Sequence, residues 1–422
     1  MNEAPSNNSI FINSWKLPLL ILVLAAVLRL WGTFELNEYI EDEAAHVPSA
    51  ISLGTYGTTA NWNWPHPQLS GLILYGSMQL FGDNPIGWRS SNVLLGTASV
   101  ALIFLIGRRL YPGSAAPLIA TALLAFDPYH IYLSRTTFME IPVTFFFLLF
   151  MYLILEYTEN HRATLPLAGI AMGLTMATKA YFAFAIPLVV IYAVYRTHQE
   201  GVLTRQVIID FTTSLLLLPA AVCLLSYFQW FGRGYTLPEF IQMKTDAVWA
   251  LNKLELGNFI NQTLLDASGK PWEWFIKPIF WGHQRLSNSG EGIFLLHSNN
   301  PPFRVLVLPS LCVASVYAWK KHVPREILAP VLFFSCYLLV LVVDRPMFDI
   351  SSIALLPFAY LMVARTVTIC AVKINRPDLL YACFLSTALI WGAYMFPLVS
   401  ARLVPLAPFR PILSMVRYMG NF

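Results

Sequence analysis

The sequence predicts an all-α polytopic membrane protein, and three observations carry that reading. Of its 422 residues, 57% are hydrophobic and only 12% charged, with a mean hydropathy of +0.59. A single water-soluble core of ordinary composition cannot hide that much apolar surface. The apolar residues also gather into stretches near the ~20 residues that a helix needs to cross a bilayer. Finally, Lys and Arg fall in alternate connections, the asymmetry that fixes membrane orientation.

In chain order the expected spans lie near 15–33, 90–110, 114–134, 138–157, 163–179, 181–196, 207–228, 303–319, 326–343, 347–366 and 379–398, about eleven helices in one integral-membrane domain covering 1–422. With the N-terminus in the cytoplasm, the inner connections hold Arg108, Arg109, Arg162, Arg196, Arg205, Lys320, Lys321, Arg325, Arg365, Lys373 and Arg376. An odd number of crossings then puts the C-terminal tail outside, together with two long outer loops, 34–89 and 229–302. The first helix follows a polar stretch with a single Lys16 and has no small-residue cleavage site before Arg29, so it reads as a retained span. Cys223, Cys312, Cys336, Cys370 and Cys383 all fall in or beside apolar spans, which excludes a disulfide framework or a metal-type cysteine cluster. The net charge of +4 sits mostly in the inner connections, so topology explains it without a nucleic-acid partner.

The first outer loop opens with a run of carboxylates: Glu35, Glu38, Glu41, Asp42 and Glu43. Residues 43–55 place Ala44, Val47, Ile51 and Ser52 on one side, the pattern of a short interfacial helix with Asp42 and Glu43 at its N-terminus. Helix-end N–H groups and the dipole favour an ionised carboxylate there, which keeps it competent as a base. The plain structural alternative makes Asp42 an N-cap and its neighbours solvated loop charges. Downstream, Pro65 and Pro67 bracket His66 and hold its imidazole on an extended backbone, and Trp62 and Trp64 suit an interfacial aromatic belt.

Charges also press into apolar sequence at the outer ends of later spans: Arg135 and Glu140, Lys179, and Arg345. A charge at membrane depth costs ~2.5–3.5 kcal/mol on insertion scales and generally faces a cavity or a partner. Three cations at one level form the kind of charge-assisted clamp that a lipid-borne phosphate needs. An internal ion pair such as Arg135 with Glu140, or snorkelling, is the structural alternative.

Taken together, these residues resemble the protein O-mannosyltransferase family, part of the GT-C membrane glycosyltransferases that use lipid-phosphate sugars. Asp42-Glu43 resembles that family's acidic pair after the first helix, and Pro65-His66-Pro67-Gln68-Leu69 its His-Pro-Pro-Leu segment. Trp88-Arg89, Ser134-Arg135 with Glu140, Lys270-Pro271-Trp272 with Asn300-Pro301, and Arg345 with Phe348-Asp349 and Leu356-Pro357 follow in the family's order. Glu140, Gln68 and Asp349 stand where the family has Asp, Pro and His, and the second outer loop is too short for the β-trefoil insertion of the eukaryotic enzymes.

The resemblance implies a GT-C architecture and an inverting transfer of mannose or another hexose from a polyprenyl-phosphate carrier to a hydroxyl of a protein, glycan or lipid. Phosphate is already a good leaving group, so one carboxylate base suffices. Asp42 is assigned that role with Glu43 in support, Arg135, Lys179 and Arg345 the donor phosphate, and His66, Glu140 and His283 the positioning of acceptor or sugar. An amphipathic surface segment is the simpler reading of Trp281-Gly282-His283. No obligatory metal is expected, since the scattered His and acids have no ligand spacing. The expected location is the cell (cytoplasmic) membrane, with catalysis on the outer side. A transporter or flippase is the rival reading, and it predicts midplane charges and inverted repeats. A non-catalytic scaffold would leave the alignment of acids and cations without a purpose.

Overall fold

The computed structural model describes residues 11, 14–58, 64–160, 164–253, 269–287, 289–342, 347–374 and 376–418. Arg345, Trp62 and Arg162 lie outside the described residues. Among the described residues, seven helices are long and apolar enough to cross a membrane: Pro85–Leu110, Glu140–Asn160, Arg205–Leu225, Pro301–Lys321, Pro324–Val342, Asp349–Ala371 and Pro377–Val399.

Several expected spans are interrupted or shorter, for local reasons. The 114–134 stretch divides into Ala116–Ala125 and Pro128–Ser134, because Asp127 leaves the helical conformation and caps the second piece, its Oδ1 accepting from His130 N at 2.7 Å. Pro128 at the first helical position needs no N–H partner there. The next two spans become Leu165–Thr178 and Ala185–Gln199, separated at Lys179 by an extended backbone and a single 3-10 turn. Within the long segment 34–89, the helix expected over 43–55 is present as Glu43–Tyr56, and a second, apolar helix, Leu69–Phe81, stands where loop was expected. Asn84 closes that region by capping Pro85–Leu110, its side chain accepting from Ile86 N at 2.9 Å.

The all-α expectation also needs correcting, because a four-stranded sheet, order β3-β2-β1-β4, is built from the second long loop and the tail. Strands β1 (Phe280–Leu286) and β2 (Glu291–Ser298) form an antiparallel hairpin. Strand β3 (Leu403–Pro405) pairs with β2 and strand β4 (Arg417–Tyr418) with β1. Gly282, at φ +152°, sits so close to the Leu295 carbonyl that a Cβ there would collide with it. Trp281 and His283 lie on this hairpin, with Trp281 buried and His283 half-buried, rather than on an exposed surface segment.

The two ends of the bundle differ in kind. At one end Arg109 pairs with Glu156 and Glu159, Arg365 with Glu326 at 2.7 Å, and Arg108 lies over Trp15 at 4.5 Å. At the other end, Arg285 on β1 pairs with Glu38 at 2.8 Å, Asn300 donates to Asp127 at 2.8 Å, and Tyr181 meets Ser351 at 3.1 Å. The hairpin, the 34–43 segment, the connections after Ala125 and Thr178 and the start of Asp349–Ala371 thereby converge on one place.

Candidate functional site

Three consecutive carboxylates sit at that convergence and point to three different surroundings. Glu41 adopts a left-handed backbone, φ 47°, which costs a non-glycine residue roughly 1–3 kcal/mol and persists only where the surroundings enforce it. The turn it makes separates Glu41 from Glu43.

Glu43 is directed into the protein. Its carboxylate takes a two-pronged ion pair from Arg89, 2.8 Å from NH2 and 3.0 Å from Nε, with both side chains fully buried. Arg89 spends its other donors on the carbonyls of Thr33, Leu36 and Glu38, at 2.9, 2.8 and 2.7 Å. Glu43 also accepts from Ile40 N at 3.0 Å. This is a strut that locks the loop leaving the first helix, and Glu43 has no capacity to spare as a base.

Glu41 turns toward the sheet. His297 on β2 donates from Nε2 to both its oxygens, at 2.9 and 3.1 Å, since a carboxylate can only accept. Trp281, opposite His297 in the hairpin register, stacks on the imidazole at 3.7 Å. The indole N–H then donates to Asp349 at 3.1 Å. His297 Nδ1 meets the Tyr129 hydroxyl at 3.2 Å, and His283 Nε2 lies 3.7 Å from Glu41. Burial pushes the Glu41 carboxyl up, but His297 and then His283 outweigh it, so its pKa falls below the usual value.

Glu140 forms the far wall with Lys179, 2.6 Å from its Oε1. Tyr181 donates to the same oxygen at 2.9 Å. The extended backbone at Lys179 presents this ammonium at the helix end rather than inside it.

Asp42 lies between these groups. Among the described residues its carboxylate has no hydrogen bond or ion pair, and it does not cap the helix that follows: only its backbone carbonyl serves there, accepting from Ala45 and His46 N. The N-cap alternative therefore does not hold. Asp42 is half-buried, and its pKa is pushed up to about 7, first by burial and then by Glu41 and Glu140, against the pull of Lys179 and His297. This reverses the expectation that the helix end would favour the ionised form. A carboxylate near 7 can hold a proton and release it at neutral pH, as a general base must.

The remaining expected residues fall elsewhere. Arg135 gives its guanidinium to the carbonyls of Leu28, Trp31 and Ser400, at 2.9, 2.8 and 2.9 Å, and forms no pair with Glu140 among the described contacts. His66 is half-buried beside a small cavity of about 20 Å³ lined by Pro67, Gln68, His46, Thr137 and Met139. His46 binds the Thr137 carbonyl at 2.9 Å, and burial takes its pKa down to about 4. Sequence reasoning passed over Glu41 as an individual, His297 and His46. A lone histidine closing the apolar strand Ile-Phe-Leu-Leu was the available signal for His297. No group of three His, Cys, Asp or Glu suited to a metal ion occurs among the described residues.

Comparison with known proteins gives this geometry a context. Residues 65–227 match the family model described as dolichyl-phosphate-mannose-protein mannosyltransferase. The chain is 27% identical over 387 residues to a polyprenol-phosphate-mannose–protein mannosyltransferase of Mycobacterium tuberculosis, a match covering 75% of this chain and 72% of the relative. In fold it is similar to the S. cerevisiae protein O-mannosyltransferase Pmt1-Pmt2 complex bound to the sugar donor, with a TM-score of 0.75 at 12% identity over 94% of this chain and 91% of that one. ArnT from Cupriavidus metallidurans bound to undecaprenyl phosphate aligns with a TM-score of 0.53 at 12% identity, over 92% and 74% of the two chains.

Proposed function

We propose that this chain is a polyprenyl-phosphate-sugar-dependent glycosyltransferase of the protein O-mannosyltransferase kind, a reading its family match and relatives support, and that it transfers mannose or another hexose with inversion. The acceptor is a hydroxyl of a protein Ser or Thr, or of a glycan or lipid, and the transfer takes place at the outer membrane face. One observation carries the assignment of the base. Of the five clustered carboxylates, Glu41, Glu43 and Glu140 each hold a cation, at 2.9, 2.8 and 2.6 Å, and Asp349 accepts the Trp281 indole N–H at 3.1 Å, whereas Asp42 has neither an ion pair nor a side-chain hydrogen bond among the described residues.

The reaction follows from that asymmetry. The acceptor O–H gives its proton to an Asp42 oxygen as the acceptor oxygen bonds to the anomeric carbon. The bond from that carbon to the phosphate oxygen breaks on the opposite face, and its electron pair leaves with the polyprenyl phosphate. Lys179 supplies positive charge for that developing anion: its ammonium has three donors, and the bond to Glu140 leaves others over. Arg345 joins it in this reading, and Arg135 contributes long-range charge from its carbonyl cradle. His283, beside Glu41, and Glu140 frame the sugar and acceptor, with His66 at the edge of the site.

The test is consumption of labelled polyprenyl-phosphate sugars by the purified protein in liposomes, with mannose and other hexoses on the carrier and a Ser- and Thr-containing peptide or a glycolipid as acceptor. Release of polyprenyl phosphate coupled to a glycosylated acceptor is the expected result. A protein that moves the intact lipid-linked sugar between leaflets without breaking its phosphate bond would overturn it.

A further inference from the structure

Two of the three consecutive carboxylates are neutralised by partners far away in sequence, and one partner, His297, has no part in the reaction just described. Glu43 is held by Arg89, which is always charged; Glu41 is held by an imidazole, whose charge depends on its surroundings. His297 is 1% exposed and enclosed on every side by groups that bear on that charge. Glu41 and Asp42 approach from the turn, Tyr129 and Tyr132 from the Pro128–Ser134 helix, and Asp349 from the start of the Asp349–Ala371 span; Trp281 covers one ring face. Glu140, Lys179, His283 and Arg304 make up the surrounding charges.

We propose that His297 is a positioning residue for the transfer: by holding Glu41 in an ion pair, it leaves Asp42 as the carboxylate of this run that takes the acceptor's proton. The inference rests on the reading of Asp42 as the base. Without a counter-ion, Glu41 would be a buried negative charge one residue away from a second carboxylate, and two such groups compete for a single proton. With His297 in place the imidazolium offsets much of the Glu41 charge, so Asp42 feels a weaker repulsion than it would beside an unpaired carboxylate. The acids around His297 keep its pKa above the ordinary value despite burial, Glu41 foremost. The hairpin that supplies His297 also supplies Trp281, so the sheet built from the second loop and the tail sets the proton affinity of a residue in the first loop.

The test is a pH titration of the protonated-carboxyl infrared band that Asp42→Asn removes, recorded in the resting protein without donor or acceptor. The wild-type midpoint is expected near 7. His297→Gln is expected to raise it by about one unit or more, the scale of an uncompensated like charge nearby. Adding Glu41→Gln to His297→Gln removes that charge and returns the midpoint to the wild-type value.

A histidine that only glues the hairpin in place would lower the thermal unfolding midpoint and leave the titration where it was. An unmoved midpoint in folded His297→Gln, or a double variant displaced as far as the single one, overturns the proposal. If His297→Gln does not fold, Glu41→Gln decides: its midpoint stays or falls, and a rise contradicts the account. Full donor turnover by Asp42→Asn would instead remove the base assignment, a failure that the titration result does not mimic.

Discussion

Asp42 keeps its proton to an unusually high pH for an aspartate, and that has consequences for both rate and stability. Since the base must be ionised to act, kcat/KM should rise with pH through about 7. A rate independent of pH between 5 and 8 would contradict this. For stability, the folded pKa lies above the ordinary value of 3.8. Between those two values the folded protein holds a proton that the unfolded chain has released, so stability falls as pH rises through that window and the cost is complete above about 7. Replacing Asp42 by Asn removes the cost, and thermal unfolding should show the variant gaining on the wild type as pH is raised from 5 to 8. A variant less stable than the wild type at pH 8 would mean that the carboxylate is a structural group. The sequence offered Asp42 but not its isolation. That depends on Arg89, 47 positions on, and on His297 in the distant hairpin, and no local spacing reveals either pairing.

At the scale of elements, the Glu43–Arg89 pair fastens the segment leaving the first helix to the start of Pro85–Leu110. Breaking a buried pair strands a charge, at about 3–5 kcal/mol. Arg89→Met should therefore lower stability by that amount, read from denaturant or thermal unfolding, and should impair activity only through loss of fold. A change under 1 kcal/mol would show that the strut is not needed.

Helix positions were legible where apolar runs were long and uninterrupted, as in Glu140–Asn160 and Pro377–Val399. The break at Asp127-Pro128 was less so, because a proline also starts many unbroken helices. The helix Leu69–Phe81 is hard to tell from loop in the sequence, since its thirteen residues fall short of a crossing. The hairpin was missed because Phe280–Leu286 alternates weakly, with Gly282 and Gln284 among its apolar positions, and its pairing partners lie partly in the tail.

For the whole molecule, the positive-inside pattern was the most informative part of the sequence. The cationic connections around Arg108, Arg109, Arg325 and Arg365 gather at one end and the carboxylate cluster at the other. We propose that the basic end faces the cytoplasm. In a variant with Cys223, Cys312, Cys336, Cys370 and Cys383 replaced, a cysteine at Ser289 should react with a membrane-impermeant thiol reagent in intact cells, and one at Lys321 only after permeabilisation. The reverse pattern would invert the orientation.

Whether Asp42 is the base is decided by comparing wild type with Asp42→Asn in single-turnover transfer from purified polyprenyl-phosphate mannose, at matched folding and donor binding. If it is, the rate of sugar transfer falls by about 10²- to 10⁴-fold with donor affinity retained, the range expected when a general base is removed. Transfer at the wild-type rate by Asp42→Asn would contradict that assignment.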